Sequence, residues 1–370
     1  MLIFRRVVAI LLVLIAAPYL VAPVYRFPRQ QPFAGPKLWN PYAQLSGTWQ
    51  KANLHAHGYA WSGFTNGRQA DEDVVRAYKQ QGYAVAGVSD YASIAAFHGV
   101  DTLPLYEHGY NIAKAHQLVI GARRIEWFDF PLWQGVQQKQ YITERLGGAG
   151  VLVAVAHPNT AYVDSDFRNL TGYQLIEVVN GRNPSEDLWD AALSAGRVVW
   201  AVANDDSHDV TNLRRTFIAW NMIDASSAAT APIVEALRQG RSYAVALVGE
   251  QVDAALKSVT VCDGTLAVAS TGVPATYVFV GQDGAVRHSA NQVMEASYTF
   301  AARDTYIRTV IRTPNIVMFV NPIIRYEGLK LPQPVAVVDE AATWERRGIV
   351  FVIVGGIAVL LWRRRRDSRQ

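Results

Sequence analysis

The sequence predicts an α/β fold: a closed or nearly closed α/β barrel, then a small antiparallel β-sandwich domain, with a transmembrane helix at each end. Three observations carry this. From 51 to about 245, short apolar runs alternate with helical stretches, and four of the runs end in histidine- or aspartate-bearing motifs. From about 250 to 335 the runs shorten, alternate and are broken by Gly264, Gly272, Gly281 and Gly284. Both ends carry long uncharged segments beside arginines.

The N-terminal segment, 1–25, contains an uncharged stretch from Val7 to Tyr25 that follows Arg5 and Arg6. At ~1.5 Å per residue it spans roughly 28 Å, close to a bilayer core. It reads as an anchor, with a cleaved signal peptide as the alternative. Residues 26–48, rich in Pro, Gln and aromatics, read as a linker. At the other end a linker at 336–345 precedes a second expected span, 346–363, and a basic tail, 364–370, that includes Arg364–Arg366. Its uncharged run, Gly348–Trp362, reaches only about 22 Å as a helix. The arginine clusters place both ends in the cytoplasm and the intervening chain outside the cytoplasmic membrane, in the periplasm.

Within 49–248 the strand-like segments are Lys51–His55, Ala84–Ser89, Gln117–Ile120, Val151–Ala156, Gln174–Val179, Val198–Ala203 and Thr216–Trp220. Helices are expected at Ala70–Gln81, Trp133–Leu146, Pro184–Ala195 and Ala231–Arg238, with Gly82, Gly147, Gly196 and Gly240 at C-cap positions. Repeated βα units argue for a parallel sheet with right-handed crossovers. The stretch Tyr91–Gln117 is irregular and is expected over the barrel mouth. Within 249–335 the runs Lys257–Cys262, Thr276–Val280, Ala296–Ala301, Tyr306–Thr313 and Ile316–Asn321 read as antiparallel strands.

Of the 370 residues, 35 are Lys or Arg and 31 Asp or Glu, a net charge of +4. Much of the basic excess lies in the flanks, at Arg5, Arg6, Arg346, Arg347, Arg363–Arg366 and Arg369, so no nucleic-acid partner is expected. The single cysteine, Cys262, excludes an internal disulfide and reads as a packed core residue.

The four motifs are His55-Ala56-His57, Ser89-Asp90-Tyr91, His157-Pro158 and Asp206-Ser207-His208. Residues two apart on a strand face the same side, so His55 with His57, and Asp206 with His208, can each share one ion. Imidazole with carboxylate suits a divalent metal. Strand-end placement makes the four motifs converge in an α/β barrel.

These pieces, with Leu175–Asn180 and the helix leading to Gly240–Tyr243, resemble the PHP (polymerase and histidinol phosphatase) superfamily over roughly 50–250. The resemblance implies a distorted (β/α)7 TIM-like barrel with up to three metals at the strand ends, and a metal-dependent phosphoesterase. Asp90-Tyr91 stands where the superfamily usually has Asp-His, and Gly121-Ala122-Arg123 puts arginine where a bridging carboxylate is usual. Glu126 is the expected substitute, with Glu107 and Glu177 as other candidates, and His108 and His116 as possible additional ligands.

The expected metal ligands are therefore His55, His57, His157, Asp206, His208, Asp90 and Glu126, holding one or two ions of zinc, manganese or iron. Asp206, His208 and Asp90 are the expected catalytic residues. Tyr91, Arg123, Arg182 and Asn180 are the expected substrate contacts, and arginine suits bidentate phosphate binding. A phosphoester of a lipid headgroup or envelope component, hydrolysed by a metal-activated water at the membrane's outer face, is the expected substrate. The alternatives are a metal-dependent amide or ester hydrolase, and a non-catalytic binding or scaffold barrel.

Overall fold

Short, fully apolar runs become buried strands because neither face of them tolerates water. In the computed structural model, which describes residues 2–95, 102–150 and 152–367, seven short strands, most of them apolar and buried, surround the motifs. They are β1 (Trp49–Asn53), β2 (Val85–Ala86), β3 (Leu105–His108), β4 (Gln117–Ile120), β5 (Leu152–Val155), β6 (Leu175–Asn180) and β7 (Trp200–Asn204). Strand β3 went unread in the sequence. Residues 96–101, in the stretch expected over the mouth, and Val151, expected to start a strand, lie outside the described residues.

The all-parallel barrel is corrected to a mixed α/β arrangement. Strands β5, β6 and β7 run parallel, but β4 is antiparallel to both β3 and β5. The connection from His108 to Gln117 is too short for a crossover helix, so β3 and β4 must pair antiparallel. Strand β1 pairs with β2 in a separate sheet. Two isolated parallel bridges, Tyr91 with Glu107 and Ala56 with Ser207, join the two sheets at the strand ends where the motifs lie.

Helices α2 (Asp71–Gln80), α3 (Val136–Ala149), α4 (Asp164–Asn169), α5 (Glu186–Ser194) and α6 (Thr230–Arg238) fall between these strands or after them. The strand expected at Thr216–Trp220 instead forms β8 (Ala219–Asp224), antiparallel to β1. Asp205 explains the shift. Its carboxylate accepts the N–H groups of Phe217, Ile218 and Ala219 at 2.8–2.9 Å, which turns the chain there and starts the strand later. No ladder joins β7 to β8. Two asparagine side chains take its place: Ala203 N donates to Asn221 Oδ1 at 2.9 Å, and Ala201 N to Asn321 Oδ1 at 2.8 Å. Asn221 Nδ2 also donates to Ala203 O at 2.8 Å, so the buried edge of β7 is satisfied without a partner strand.

Strand β8 pairs with β9 (Ser242–Leu247). Then follow β10 (Ala254–Cys262), β11 (Thr265–Gly272), β12 (Ala275–Val280), β13 (Val286–Val293), β14 (Glu295–Thr299), β15 (Tyr306–Arg312) and β16 (Ile316–Tyr326). All their pairings are antiparallel, and β16 pairs with β9, so one nine-stranded sheet runs continuously across residue 248. The three-stranded sheet β10-β11-β14 contributes Leu256, Val259, Leu266 and Val268 to a core shared with Tyr277, Phe279 and Ile307. Cys262 is exposed rather than packed, on the outward phase of β10's alternation.

The ends are helical: α1 (Leu2–Val21) and α7 (Glu340–Asp367). Among the described residues no helix is long and apolar enough to cross a membrane, which corrects the expected transmembrane helices in 1–25 and 346–363. Arg5, Arg6 and Pro18 lie inside α1. In α7 the charged residues Glu345, Arg346, Arg347 and Arg363 bracket an uncharged run of about 22 Å, short of the ~30 Å hydrocarbon core. Near the end of α1, Tyr19 OH accepts from Leu132 N and Trp133 N, both at 3.0 Å, and Arg347 Nη2 donates to Val21 O at 2.8 Å.

Candidate metal centre

His55 and His57 follow β1 with their side chains fully buried. The two-residue spacing sends both Nε2 atoms into one space, where Glu107 from β3 and Asp206 from the end of β7 meet them. Glu107 Oε2 lies 3.4 Å from His55 Nε2 and 3.1 Å from His57 Nε2. Asp206 Oδ1 lies 3.2 and 3.3 Å from the same two nitrogens. Although these contacts are close, His55 Nε2, His57 Nε2 and Glu107 Oε2 are buried without a hydrogen-bond partner. Their lone pairs converge on a point rather than on one another. Tetrahedral ligands at ~2.0–2.1 Å from a zinc-like ion stand about 3.3 Å apart, the spacing found here. Orphaned buried donors of this chemistry fit a divalent cation.

The other oxygen of Glu107 faces a second group. Oε1 lies 2.8 Å from His116 Nδ1 and 2.9 Å from His157 Nε2. In each of four triads the ligand atoms lie within 4.8 Å of one another: His55-His57-Glu107, His55-His157-Asp206, His57-Asp206-His208 and Glu107-His116-His157. Glu107 thus lies between two adjoining ligand sets, one on each of its oxygens.

Backbone strain holds two of the donors. His157 sits at φ 27° and Asp206 at φ 51°, in the left-handed region that non-glycine residues avoid. Beneath them Glu177 is fully buried and fully satisfied. Its Oε1 lies 2.8 Å from His55 Nδ1 and accepts from Asn204 Nδ2 at 2.8 Å. Its Oε2 accepts from His157 N at 2.7 Å and Asn180 Nδ2 at 2.9 Å. Glu177, a candidate for the bridging carboxylate, is instead a brace: it fixes the imidazole so that Nε2 faces the cluster.

The electrostatics follow from this packing. Burial alone would depress the histidines, but Asp206, Glu177 and Glu107 hold His55 well above its ordinary value. His57 is likewise burdened by burial, yet contacts with Asp206 and Glu107 raise it to about 9. Glu107 and Asp206 are held well below the carboxylate range, because the histidines outweigh the burial that would raise them. These are the shifts of donors crowded around a common point. His208 moves the other way, down to about 4, through burial and then the charge of His57. Its ring stacks on His57 at 4.4 Å, and Tyr91 stacks on His57 at 4.7 Å.

The structure brings together His55, His57, His157, Asp206 and His208 from the expected ligands, with Glu107 and His116 from the alternatives. Asp90 stands outside the four triads, with its Oδ1 accepting from Gly58 N at 2.8 Å. Glu126 is also outside them. Its Oε1 accepts from Arg145 Nη2 and Phe128 N, both at 2.9 Å, and it braces a loop. Between the ligand groups stands Glu107 instead, on β3, a strand that the sequence pattern does not show. His108, on the opposite phase of that strand, lies 3.0 Å from Phe128 O.

A cavity of about 820 Å³ opens on the cluster, lined by Tyr91, His116, His157, Asn180, Asp206 and His208. Lys114, Arg182, Arg214 and Arg215 also line it. Arg123 is exposed and is not among the lining residues. Lys114 carried no signal in the sequence. It depends on a left-handed residue (φ 57°) in a turn where Asn111 accepts from Ala115 N at 2.8 Å.

No protein-family model matches the chain, and no curated protein does. A solved structure from Bacteroides vulgatus, a two-domain protein containing a predicted PHP-like metal-dependent phosphoesterase, is similar at 14% identity with a TM-score of 0.41. The match covers 84% of this chain and 100% of that one.

Proposed function

We propose that the protein is a metal-dependent phosphoester hydrolase. One observation carries the reading: the two oxygens of Glu107 face separate groups of histidines at the floor of a cleft that also presents Lys114, Arg182, Arg214 and Arg215. His55, His57, Glu107 and Asp206 would hold one divalent ion, and Glu107, His116 and His157 a second. Such ions supply Lewis acidity and acidify a bound water toward neutrality.

The chain's own residues supply the rest. Glu177 and Asn180 lock the orientation of His55 and Asp206, so the donors need no rearrangement. Lys114 and the arginines lining the cleft give it the charge that binds a phosphoryl group and balances its oxygens. The His208 ring, packed on His57, limits access to the cluster on the cleft side.

The test is hydrolysis of a phosphomonoester and phosphodiester panel by the full chain loaded with zinc, manganese or iron. Turnover that disappears with chelator and returns with metal is the expected result. A protein that binds metal and cleaves carboxyl esters or amides, but no phosphoester, would redirect the reading to those bonds. A folded protein that binds no metal would favour a non-catalytic scaffold.

A further inference from the structure

Beside the basic cleft lies a second cavity of about 560 Å³, and the two share Asn66, Tyr91, Lys114 and His116. Its character is opposite. Trp61, Phe64, Tyr110 and Trp127 line it, and they are 51%, 94%, 60% and 58% exposed. Single exposed apolar residues are ordinary on a protein surface; four large aromatics lining one cavity beside a buried ligand cluster are not.

The walls are built rather than incidental. Trp61 and its neighbour Ser62 both take left-handed backbone angles, φ 53° and 54°. The Trp61 indole donates to Tyr91 O at 2.8 Å, which ties the ring to the residue stacked on His57. Trp127 meets it edge to face, with ring centroids 5.8 Å apart and planes at 72°. On either side of Trp127 the backbone is pinned: Glu126 N donates to Tyr106 OH at 2.9 Å, and Phe128 N to the Glu126 carboxylate that Arg145 holds. Tyr110 N donates to Asp129 Oδ2 at 2.8 Å. Ordinary loops do not spend left-handed tryptophan and a partly buried ion pair on keeping aromatic faces in water.

Resting on the phosphoesterase reading, we infer that the substrate is a phosphoester whose organic group carries an aromatic ring. The phosphoryl group sits over the Glu107 cluster, and the ring packs on the aromatic wall that Trp61 and Trp127 form together. A flat aromatic group matches walls made of indole and phenol faces, whereas a small alkyl group would leave them wet. Lys114, shared by both cavities, stands where the anionic and aromatic parts of such a molecule join.

Binding of phosphonates, which are not hydrolysed, separates this inference from turnover. With the metal-loaded full chain, calorimetry compares 2-phenylethylphosphonate with ethylphosphonate, in the wild type and in a Trp61→Ala/Trp127→Ala variant. The aromatic compound is expected to bind about tenfold more tightly or better, as roughly 1.4 kcal/mol of added contact gives. The variant should erase that preference, bringing the two affinities level. Equal affinities in the wild type, or a preference that survives in the variant, overturn the inference. Affinities for both phosphonates that are the same without metal, with the aromatic preference retained, would keep the aromatic arm and remove the phosphoesterase reading instead. Circular dichroism of the variant, whose replaced rings are half exposed, checks that it is folded.

Discussion

His55 Nδ1 lies 2.8 Å from Glu177 Oε1, and both side chains are wholly buried. This contact turns the imidazole so that Nε2, which has no hydrogen-bond partner, faces Glu107 and Asp206. Glu177→Gln keeps the shape but replaces one acceptor oxygen with a donor amide, which cannot serve all four groups that now donate to the carboxylate. Partners that orient a metal-bound histidine are typically worth 10–100-fold in affinity. Competition titration with a zinc indicator should show a loss of about that size. An unchanged affinity would mean that Glu177 is structural only.

Lys114 and Arg123 separate position from charge. Both are basic and close in sequence to the β3–β4 region, but only Lys114 lines the cleft. Lys114→Ala should raise KM for a phosphoester about tenfold, within the range of one charged hydrogen bond. Arg123→Ala should leave KM unchanged. Equal effects from the two would point to general electrostatic attraction.

The junction between the site-bearing half and the later strands rests on Arg308 of β15. Its Nε and Nη2 donate to the two oxygens of Asp190 at 2.7 and 2.6 Å, and Nη1 donates to Glu186 at 3.0 Å. Arg308 is pushed down by burial but raised more strongly by Asp190 and Glu186. Removing one partner of a buried pair strands the other, so Asp190→Ala should cost about 3–5 kcal/mol in urea unfolding. A cost below about 1 kcal/mol, the range of exposed pairs, would mean that water reaches the pair freely.

Asp71, at the start of α2, is raised to about 7, first by burial and then by the neighbouring Asp90 carboxylate. An acid raised in the folded state favours folding below its unfolded value, near 4, and loses that contribution as pH climbs through the folded value. Wild-type Tm should therefore fall relative to Asp71→Asn between about pH 4 and pH 7. Parallel Tm curves for the two proteins over that window would contradict the assignment.

How far the site was legible depended on strand length. His55 and His57, and Asp206 and His208, sit at the ends of apolar runs long enough to show themselves as strands, and the two-residue period did the rest. Glu107 lies in a strand of four residues, Leu105–His108, set among polar and glycine residues, where no period can establish itself. The sequence pattern therefore points to Glu126 as the bridging carboxylate, whereas a local pair with Arg145 holds that residue in a loop. The antiparallel turn at β4 and the edge of β7 satisfied by Asn221 and Asn321 depend on contacts between residues far apart in sequence. The end segments were apolar enough to suggest spans, yet their charges fall inside the helices once the helix limits are known.

The most direct test is metal content by elemental mass spectrometry. The full chain, purified without affinity metals, is compared with Glu107→Ala and with His55→Ala/His57→Ala, and all three are checked for folding. The arrangement of donors around Glu107 predicts two equivalents of a divalent metal per wild-type chain, at most one in Glu107→Ala and fewer than in wild type in the double variant. A folded wild type without metal, or a Glu107→Ala protein that keeps two equivalents, would contradict the central role given to Glu107.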